Sequence, residues 1–184
     1  IGLFHRTSST ALDYKSSGGE VLAGSWVQVS AVVTSTKTAK LYANGKEVSY
    51  TAGNTQGTGT YNTDTSYNLR LGNRQETGGT VPLAGNIAYV YIYNHALSPS
   101  EIQQLYAEPY GFIEPPSTKK YFAPAYSPNN FNIVTSKTKR WLSKPPVGST
   151  LNFGHPLSQG LVGCWLMNEG GGSKIASLKY FKYN

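Results

Sequence analysis

The sequence predicts an all-β fold, an antiparallel β-sandwich with one short helix. Its 184 residues include 20 glycines and 14 tyrosines, a composition that suits sheets joined by many turns. Residues 26–33 alternate in the way that a strand requires. The apolar residues on one face of this strand are Val27, Val29, Ala31 and Val33. A convincing start signal for a helix occurs at Ser98 alone.

The region from residue 85 to residue 106 joins a second strand to this helix. Residues 85–93 carry bulky or apolar side chains on both faces, which is typical of a strand between two layers. Ser98 can cap a helix, Pro99 suits its first position, and Glu101 stands where a capping box requires it. One face of the helix is formed by Ile102, Leu105 and Tyr106. The helix should end before Pro109.

Hairpins are predicted earlier in the chain. Residues 40–43 lead through Asn44-Gly45 into residues 46–50, and Asn-Gly between strands is a strong signal for a type I′ turn. Residues 68–72 read as a further strand with two inward leucines, Leu69 and Leu71. Residues 51–67, rich in Gly, Thr and Asn, read as a long loop.

Several of these motifs resemble one family. The run Asn94-His-Ala-Leu-Ser-Pro-Ser-Glu-Ile102 is similar to the closing segment of laminin G-like domains, which belong to the concanavalin A-like lectin/glucanase superfamily. Residues 24–29 and 41–48 resemble the paired strands that precede this segment, and residues 155–172 resemble the opening strand. The resemblance implies a sandwich of the jelly-roll type.

The opening strand comes last in this chain, so the order of the family's strands is altered. Because first and last strands lie side by side in the family, residues 161–167 should pair antiparallel with residues 86–93, within the chain or between copies. We predict three parts: residues 1–108, the closing two-thirds of a sandwich; residues 109–150, an extended Pro-rich basic arm; and residues 151–184, the opening strand of the same permuted domain or of a following one. Three explanations fit the altered strand order: two tandem copies, a circular permutation, or pieces recorded out of order.

The positive charge is concentrated in the second half of the chain. Residues 1–110 hold seven Lys/Arg and seven Asp/Glu, whereas residues 111–184 hold nine Lys/Arg and two Glu, so 9 − 2 gives the whole net charge of +7. The basic cluster of the arm is formed by Lys137, Lys139, Arg140 and Lys144 around Trp141. Docking on a neighbouring subunit is the favoured interpretation, ahead of a plain solvated linker, and nucleic-acid binding comes last because no nucleic-acid motif accompanies the cluster.

Segments 105–110 and 137–146 resemble parts of concanavalin A-like proteins of tailed bacteriophages. The resemblance implies a virion or other extracellular surface as the location, and other subunits of an assembly as partners. No run of about 18 apolar residues predicts a membrane span. The single cysteine, Cys164, excludes an intrachain disulfide and should pack in a strand.

Catalytic residues are not predicted. Retaining glycosidases of the superfamily project two carboxylates from one strand, about 5–5.5 Å apart, and no such alternation of acids occurs here. Ala88-Tyr89 replaces an acidic pair that many relatives carry, so no role of those carboxylates transfers. We therefore expect a non-catalytic structural or adhesive module; a free glycan-binding module is the alternative, and an incomplete glycosidase is less favoured.

Two candidate ligand sites lie in predicted loops. No cofactor is expected; Asp64 is a calcium candidate, although an ordinary turn aspartate is favoured. His5, His95 and His155 lack metal-ligand spacing. Surface glycans could stack on exposed aromatic rings beside planar polar groups. The candidates are Tyr61, Tyr67, Asn73, Arg74 and Gln75. The favoured alternative is that Tyr61 and Tyr67 fill the edge of the sandwich. A core or interface position is predicted for Trp26, Trp165 and residues 89–93.

Overall fold

The computed structural model describes residues 1–5, 7–62, 70–76, 79–114, 144–168 and 177–179. In chain order its strands are β1 (Gly2–His5), β2 (Leu12–Lys15), β3 (Val29–Val33), β4 (Ala39–Ala43), β5 (Lys46–Glu47), β6 (Asn73–Glu76), β7 (Gly79–Pro82), β8 (Val90–Tyr93), β9 (Ile113–Glu114), β10 (Thr150–Leu151), β11 (Leu161–Trp165) and β12 (Ser177–Lys179). Helix α1 (Pro99–Ala107) follows β8, and a short 3₁₀ helix (Pro156–Ser158) follows β10.

Every strand pair in these residues is antiparallel. The strands form two three-stranded sheets, β3-β4-β5 and β12-β11-β8, and three two-stranded ladders, β1-β2, β6-β7 and β9-β10. This arrangement, with α1 as its one α-helix, confirms the predicted antiparallel all-β fold class, although β3 and β8 each remain an edge and the sheets do not close. No helix of the described residues is long and apolar enough to cross a membrane.

The Asn44-Gly45 turn joins β4 to β5 as predicted. Both residues have positive φ, 50° and 76°, which is the conformation that a type I′ turn requires. Gly45 has a second role, because a Cβ there would lie 3.0 Å from the Cβ of Tyr106 and 3.3 Å from the Cα of Gln103. The glycine therefore allows α1 to rest directly on the hairpin turn.

Helix α1 has the predicted capping box. The Ser98 hydroxyl accepts a hydrogen bond from the Glu101 N–H at 3.3 Å, and the Glu101 carboxylate accepts one from the Ser98 N–H at 2.8 Å. The helix ends at Ala107. Its buried residues are Ile102 and Leu105, so the apolar spacing correctly predicted the inward face.

The predicted pairing of opening and closing strands occurs within this chain. Strand β11 pairs antiparallel with β8, with Leu161 opposite Tyr93 and Trp165 opposite Val90. The ladder is shorter than predicted because residues 85–89 are not in a strand. The origin of the altered order stays open, as do the three predicted domain boundaries.

The prediction of a strand at residues 68–72 is wrong for residues 70–72, the part of this range that the structure describes. Residues 70–72 are not in a strand, and β6 begins only at Asn73. Gly72 has a positive φ of 72°, and its carbonyl accepts a hydrogen bond from the Leu83 N–H at 2.7 Å. The chain therefore turns at Gly72 instead of extending through it.

The main core surrounds β8, β11 and α1. Its buried residues are Leu105, Tyr110, Phe112, Ile113, Leu151, Leu157, Leu161, Cys164 and Leu166. Three of them, Tyr110, Phe112 and Ile113, fall in the segment predicted to run extended over a surface, and that expectation is wrong for residues 110–114. Prolines recur along the segment, whereas Tyr110 packs against Tyr89 and Phe112 packs against Tyr91 of β8.

Candidate functional site

A surface cluster forms around Tyr61, one of the predicted sugar-binding residues. The Tyr61 side chain is 41% exposed. The His5 ring meets the Tyr61 ring edge to face, with 4.6 Å between centroids, and the Lys37 ammonium lies 5.6 Å from the Tyr61 centroid. We call His5, Lys37 and Tyr61 the Tyr61 cluster. It combines an aromatic face, an ammonium and an imidazole.

Three separate segments position this cluster. His5 ends β1, and Tyr61 is bridged antiparallel to Thr7, with the Ser8 N–H donating to the Thr60 carbonyl at 2.8 Å. Lys37 lies in the turn between β3 and β4, where its φ of 58° is left-handed. Residues far apart in the sequence therefore meet at one place on the surface.

The turn that carries Lys37 is held on two sides. Within the turn, the Thr34 N–H donates to the Thr38 carbonyl at 2.9 Å. From the neighbouring loop, the Gly57 N–H donates to the Lys37 carbonyl at 3.0 Å, and the Gln56 amide donates to the Thr36 carbonyl at 2.6 Å. These bonds fix the backbone from which the Lys37 side chain projects.

Of the five predicted sugar-binding residues, only Tyr61 has a described side chain. Asn73, Arg74 and Gln75 lie on β6, of which the backbone is described, and Tyr67 lies outside the described residues. The patch they were predicted to form stays a prediction. Sequence reasoning missed Lys37 and His5 as neighbours of Tyr61, since no local pattern links positions so distant along the chain.

Three of the described carboxylates have local partners. Asp13 pairs with Lys15 at 3.1 Å, and Glu20 accepts a hydrogen bond from the Ser16 hydroxyl at 2.8 Å. Glu47 pairs with Lys40 at 3.1 Å and accepts a hydrogen bond from the Tyr50 hydroxyl at 3.0 Å.

Hydrogen bonds also lower the pKa values of two carboxyl groups, those of Glu20 and Glu101. The hydrogen bond from Ser16 lowers the pKa of Glu20, and those from Ser98 lower the pKa of Glu101. A general acid needs a raised pKa, so both shifts run in the opposite direction.

The predicted calcium ligand, Asp64, lies outside the described residues. Among the residues that are described, no three or more His, Cys, Asp or Glu side chains approach closely enough to hold a metal ion. His95 lies beside the Tyr93 ring and His155 caps the 3₁₀ helix, accepting from the Leu157 N–H at 3.2 Å. Both histidines have local contacts of this kind in the described structure.

An apolar slot of about 490 Å³ lies between the edge strands β3 and β8. Val29 and Val33 line it and are 48% and 37% exposed, so the apolar face predicted for this strand exists but is uncovered. The Gln28 amide bridges the slot by donating to the Tyr89 hydroxyl at 3.0 Å. Gln28 Oε1 is buried and has no hydrogen-bond partner among the described residues.

The two described tryptophans were predicted in a core or an interface. Trp26 is 69% exposed and lines a groove with Leu22 and Leu83, so it is not a core residue, and its place in an interface stays a prediction. Trp165 is half-buried in β11, with its ring over Gly163. Cys164 is fully buried in the same strand, and burial raises the pKa of its thiol to about 12.

The base of the predicted arm belongs to the folded module. Glu114 of β9 lies opposite Thr150 of β10, so a two-residue ladder joins the two flanks of residues 115–149. Lys144, predicted as an assembly residue, donates a hydrogen bond to the Met167 carbonyl at 2.9 Å, which gives it a contact inside the module. The other predicted assembly residues, Lys137, Lys139, Arg140 and Trp141, lie outside the described residues.

The fold and its motifs agree with a comparison against protein families. A profile described as the Concanavalin A-like lectin/glucanases superfamily matches residues 3–103, more than half of the chain. The chain therefore belongs to this superfamily. Neither the curated proteins nor the solved structures gave a significant match.

Proposed function

We propose that this chain is a non-catalytic structural or adhesive module of a virion or other extracellular assembly, fixed to other subunits by its basic arm. The β9–β10 ladder is the observation that carries the proposal. It places Glu114 opposite Thr150, so the two ends of the segment between them, residues 115–149, are held side by side. A segment held at both ends loses less freedom on docking than a free tail, because both of its ends are already fixed.

Charge supports docking against an acidic surface. The segment 115–143 contains Lys119, Lys120, Lys137, Lys139 and Arg140 and no Asp or Glu, while residues 1–110 are neutral. Attraction through these cations would weaken as salt screens it. The arm therefore has the charge of a docking element, and the sandwich does not.

The non-catalytic assignment is supported by four of the described carboxylates. Asp13, Glu20, Glu47 and Glu101 are each engaged by a neighbouring donor or cation. They are spread over β2, the loop that follows it, β5 and α1, instead of alternating on one strand as in the glycosidases of the superfamily.

Sedimentation velocity tests the role of the arm. Residues 117–142 are replaced by a short Gly/Ser linker, which retains Glu114 and the contacts of Lys144 and Pro145. We expect the full chain to self-associate at low salt and the shortened chain to stay monomeric with an unchanged unfolding midpoint. A matched variant, K137Q/K139Q/R140Q, should retain the arm but show weaker association. A monomeric full chain, or equal association of the shortened chain, would refute self-association through the arm; retained nucleic acid in the full chain alone would favour the nucleic-acid interpretation.

A second candidate function, glycan binding, is favoured by the half-exposed Tyr61 ring. Flat aromatic faces beside polar groups are the usual sugar platforms of proteins. A glycan array with neutral and acidic oligosaccharides tests it, and failure of every glycan to bind would remove this candidate without affecting the assembly role.

A further inference from the structure

The Tyr61 cluster has more than the aromatic platform that a neutral sugar needs. Lys37 places an ammonium 5.6 Å from the ring centroid, and His5 contacts the ring from another segment at 4.6 Å. Tyr61 is nevertheless 41% exposed, so part of the residue remains accessible to a ligand. A charge and a partly exposed aromatic residue thus lie within the span of one sugar residue.

The Lys37 ammonium is not neutralised by a carboxylate within the described part of the chain. The described lysine ion pairs engage Lys15 with Asp13 and Lys40 with Glu47. Both pairs lie on strands, whereas Lys37 projects from a turn. Residues 1–110 have no net charge, so Lys37 does not belong to an excess of positive charge in this part of the sequence.

The backbone holds Lys37 in position before any ligand arrives. The Lys37 carbonyl accepts a bond from the Gly57 N–H at 3.0 Å. Gly57 also approaches the turn closely, since a Cβ added to it would lie 3.3 Å from the Cβ of Lys37. A turn backbone that is fixed beforehand reduces the entropy that ligand binding would otherwise cost.

We infer that the Tyr61 cluster is a binding subsite for an acidic saccharide, a pyranose that carries a carboxylate. The apolar C–H face of the pyranose stacks on the exposed part of the Tyr61 ring, and its carboxylate pairs with the Lys37 ammonium through a charge-assisted hydrogen bond. The inference rests on the second candidate function, glycan binding, and does not involve the arm.

Isothermal titration of the full chain with 3′-sialyllactose and with a hyaluronan tetrasaccharide tests this subsite. Lactose is the neutral probe and polyaspartate the non-saccharide anion. K37Q retains the side-chain stem and the backbone conformation but removes the charge, and Y61A removes the ring. K40Q is the matched control, because it also removes one exposed lysine charge, from the pair with Glu47. Y61F preserves the stacking face.

We expect at least one acidic saccharide to bind, and K37Q and Y61A to weaken it at least tenfold. K40Q and Y61F should bind within twofold of the unmodified chain, and neither lactose nor polyaspartate should bind. An equal loss in K40Q would show diffuse electrostatic attraction, and binding of polyaspartate would show a general anion site; either result overturns the inference. If acidic glycans bind but K37Q and Y61A bind normally, glycan binding stands and this subsite is wrong. If no saccharide binds, both fail while the assembly role is unaffected.

Discussion

The hydroxyl of Tyr93 donates a hydrogen bond to the main-chain carbonyl of Leu157 at 2.8 Å, joining residues on opposite sides of the basic arm. On the next strand position facing the same way, the Tyr91 hydroxyl donates to the Pro109 carbonyl at 2.8 Å. The tyrosines of β8 thus hold both the segment that leaves the module and the segment that returns to it. The folded unit comprises residues from both sides of the arm, so removing the returning segment should unfold more than a tail.

Phe112 tests whether the segment before the arm belongs to the fold. Its side chain is fully buried and meets the Tyr91 ring with 5.2 Å between centroids. We expect Phe112→Ala to lower the free energy of unfolding by about 3–5 kcal/mol, because a large aromatic leaves a cavity in the core. Urea unfolding followed by tryptophan fluorescence measures the loss.

Phe153 provides the matched control for Phe112. It lies on the returning segment, but its side chain is 62% exposed. Phe153→Ala should change the free energy of unfolding by no more than about 0.5 kcal/mol, as is usual for surface positions. Similar losses for the two variants would contradict the placement of residues 110–113 in the core.

Gly160 tests the tight junction between the 3₁₀ helix and β11. Its φ is +65°, and a Cβ there would collide with the ring of His95 and lie 2.7 Å from Asn94 Oδ1. Gly160→Ala should cost about 2–4 kcal/mol, the sum of left-handed strain and overpacking. Thermal or urea unfolding measures it.

Gly53 separates these two contributions. It also has a positive φ, +89°, but a Cβ there would meet no atom within 4 Å. Gly53→Ala should therefore cost only the conformational part, about 1 kcal/mol. If Gly160→Ala lowered the free energy of unfolding no more than Gly53→Ala, the close approach of His95 and Asn94 to Gly160 would not contribute to the cost of the substitution.

Local signals account for what the sequence predicted correctly. The Asn44-Gly45 turn and the Ser98–Glu101 capping box depend on residues within four positions of one another, and both occur as expected. The pairing of β8 with β11 was predictable because two family motifs, one on each strand, fix which strands are neighbours.

The missed features depend on long-range contacts. The β1–β2 hairpin was not predicted, and the Tyr61 cluster needs contacts between positions 5, 37 and 61, which no periodicity encodes. Phe112 lies between prolines that indicate an extended linker, so its burial depends on the tyrosines of β8. The composition of a short segment could not reveal that surface.

The capping box should make stability depend on pH through Glu101. Hydrogen bonds from the Ser98 hydroxyl at 2.7 Å and the Ser98 N–H at 2.8 Å lower the pKa of this carboxyl from 4.5. A folded pKa below the unfolded one gives stability that is present above about pH 4.5 and is lost as pH falls through the folded value. Urea unfolding at pH 7 and pH 3 measures this effect. The unmodified chain should have a higher free energy of unfolding than Glu101→Gln at pH 7, and the difference should shrink at pH 3.

Ser98→Ala removes the partner of this carboxylate. It should lower the free energy of unfolding by about 0.5–2 kcal/mol at pH 7 and should also make that free energy less dependent on pH. An advantage over Glu101→Gln that persists undiminished at pH 3 would contradict the role of the carboxylate.

Cys164 should be chemically silent in the folded protein. The thiol is fully buried in β11, and burial raises its pKa to about 12, so almost no thiolate exists at pH 8. Since Cys164 is the only cysteine, the reaction with Ellman's reagent reports on it alone. We expect labelling at pH 8 to be at least a hundredfold slower than that of the same chain in concentrated guanidinium, which serves as the control. The labelling rates of the unmodified chain and of Gly53→Ala can also be compared. If labelling is slower in the more stable of the two chains, it follows global unfolding, and β11 lies in the most protected part of the fold. Rapid labelling of the unmodified chain would show instead that β11 separates from β8 without global unfolding, and that the two halves of the module on either side of the arm are only loosely joined.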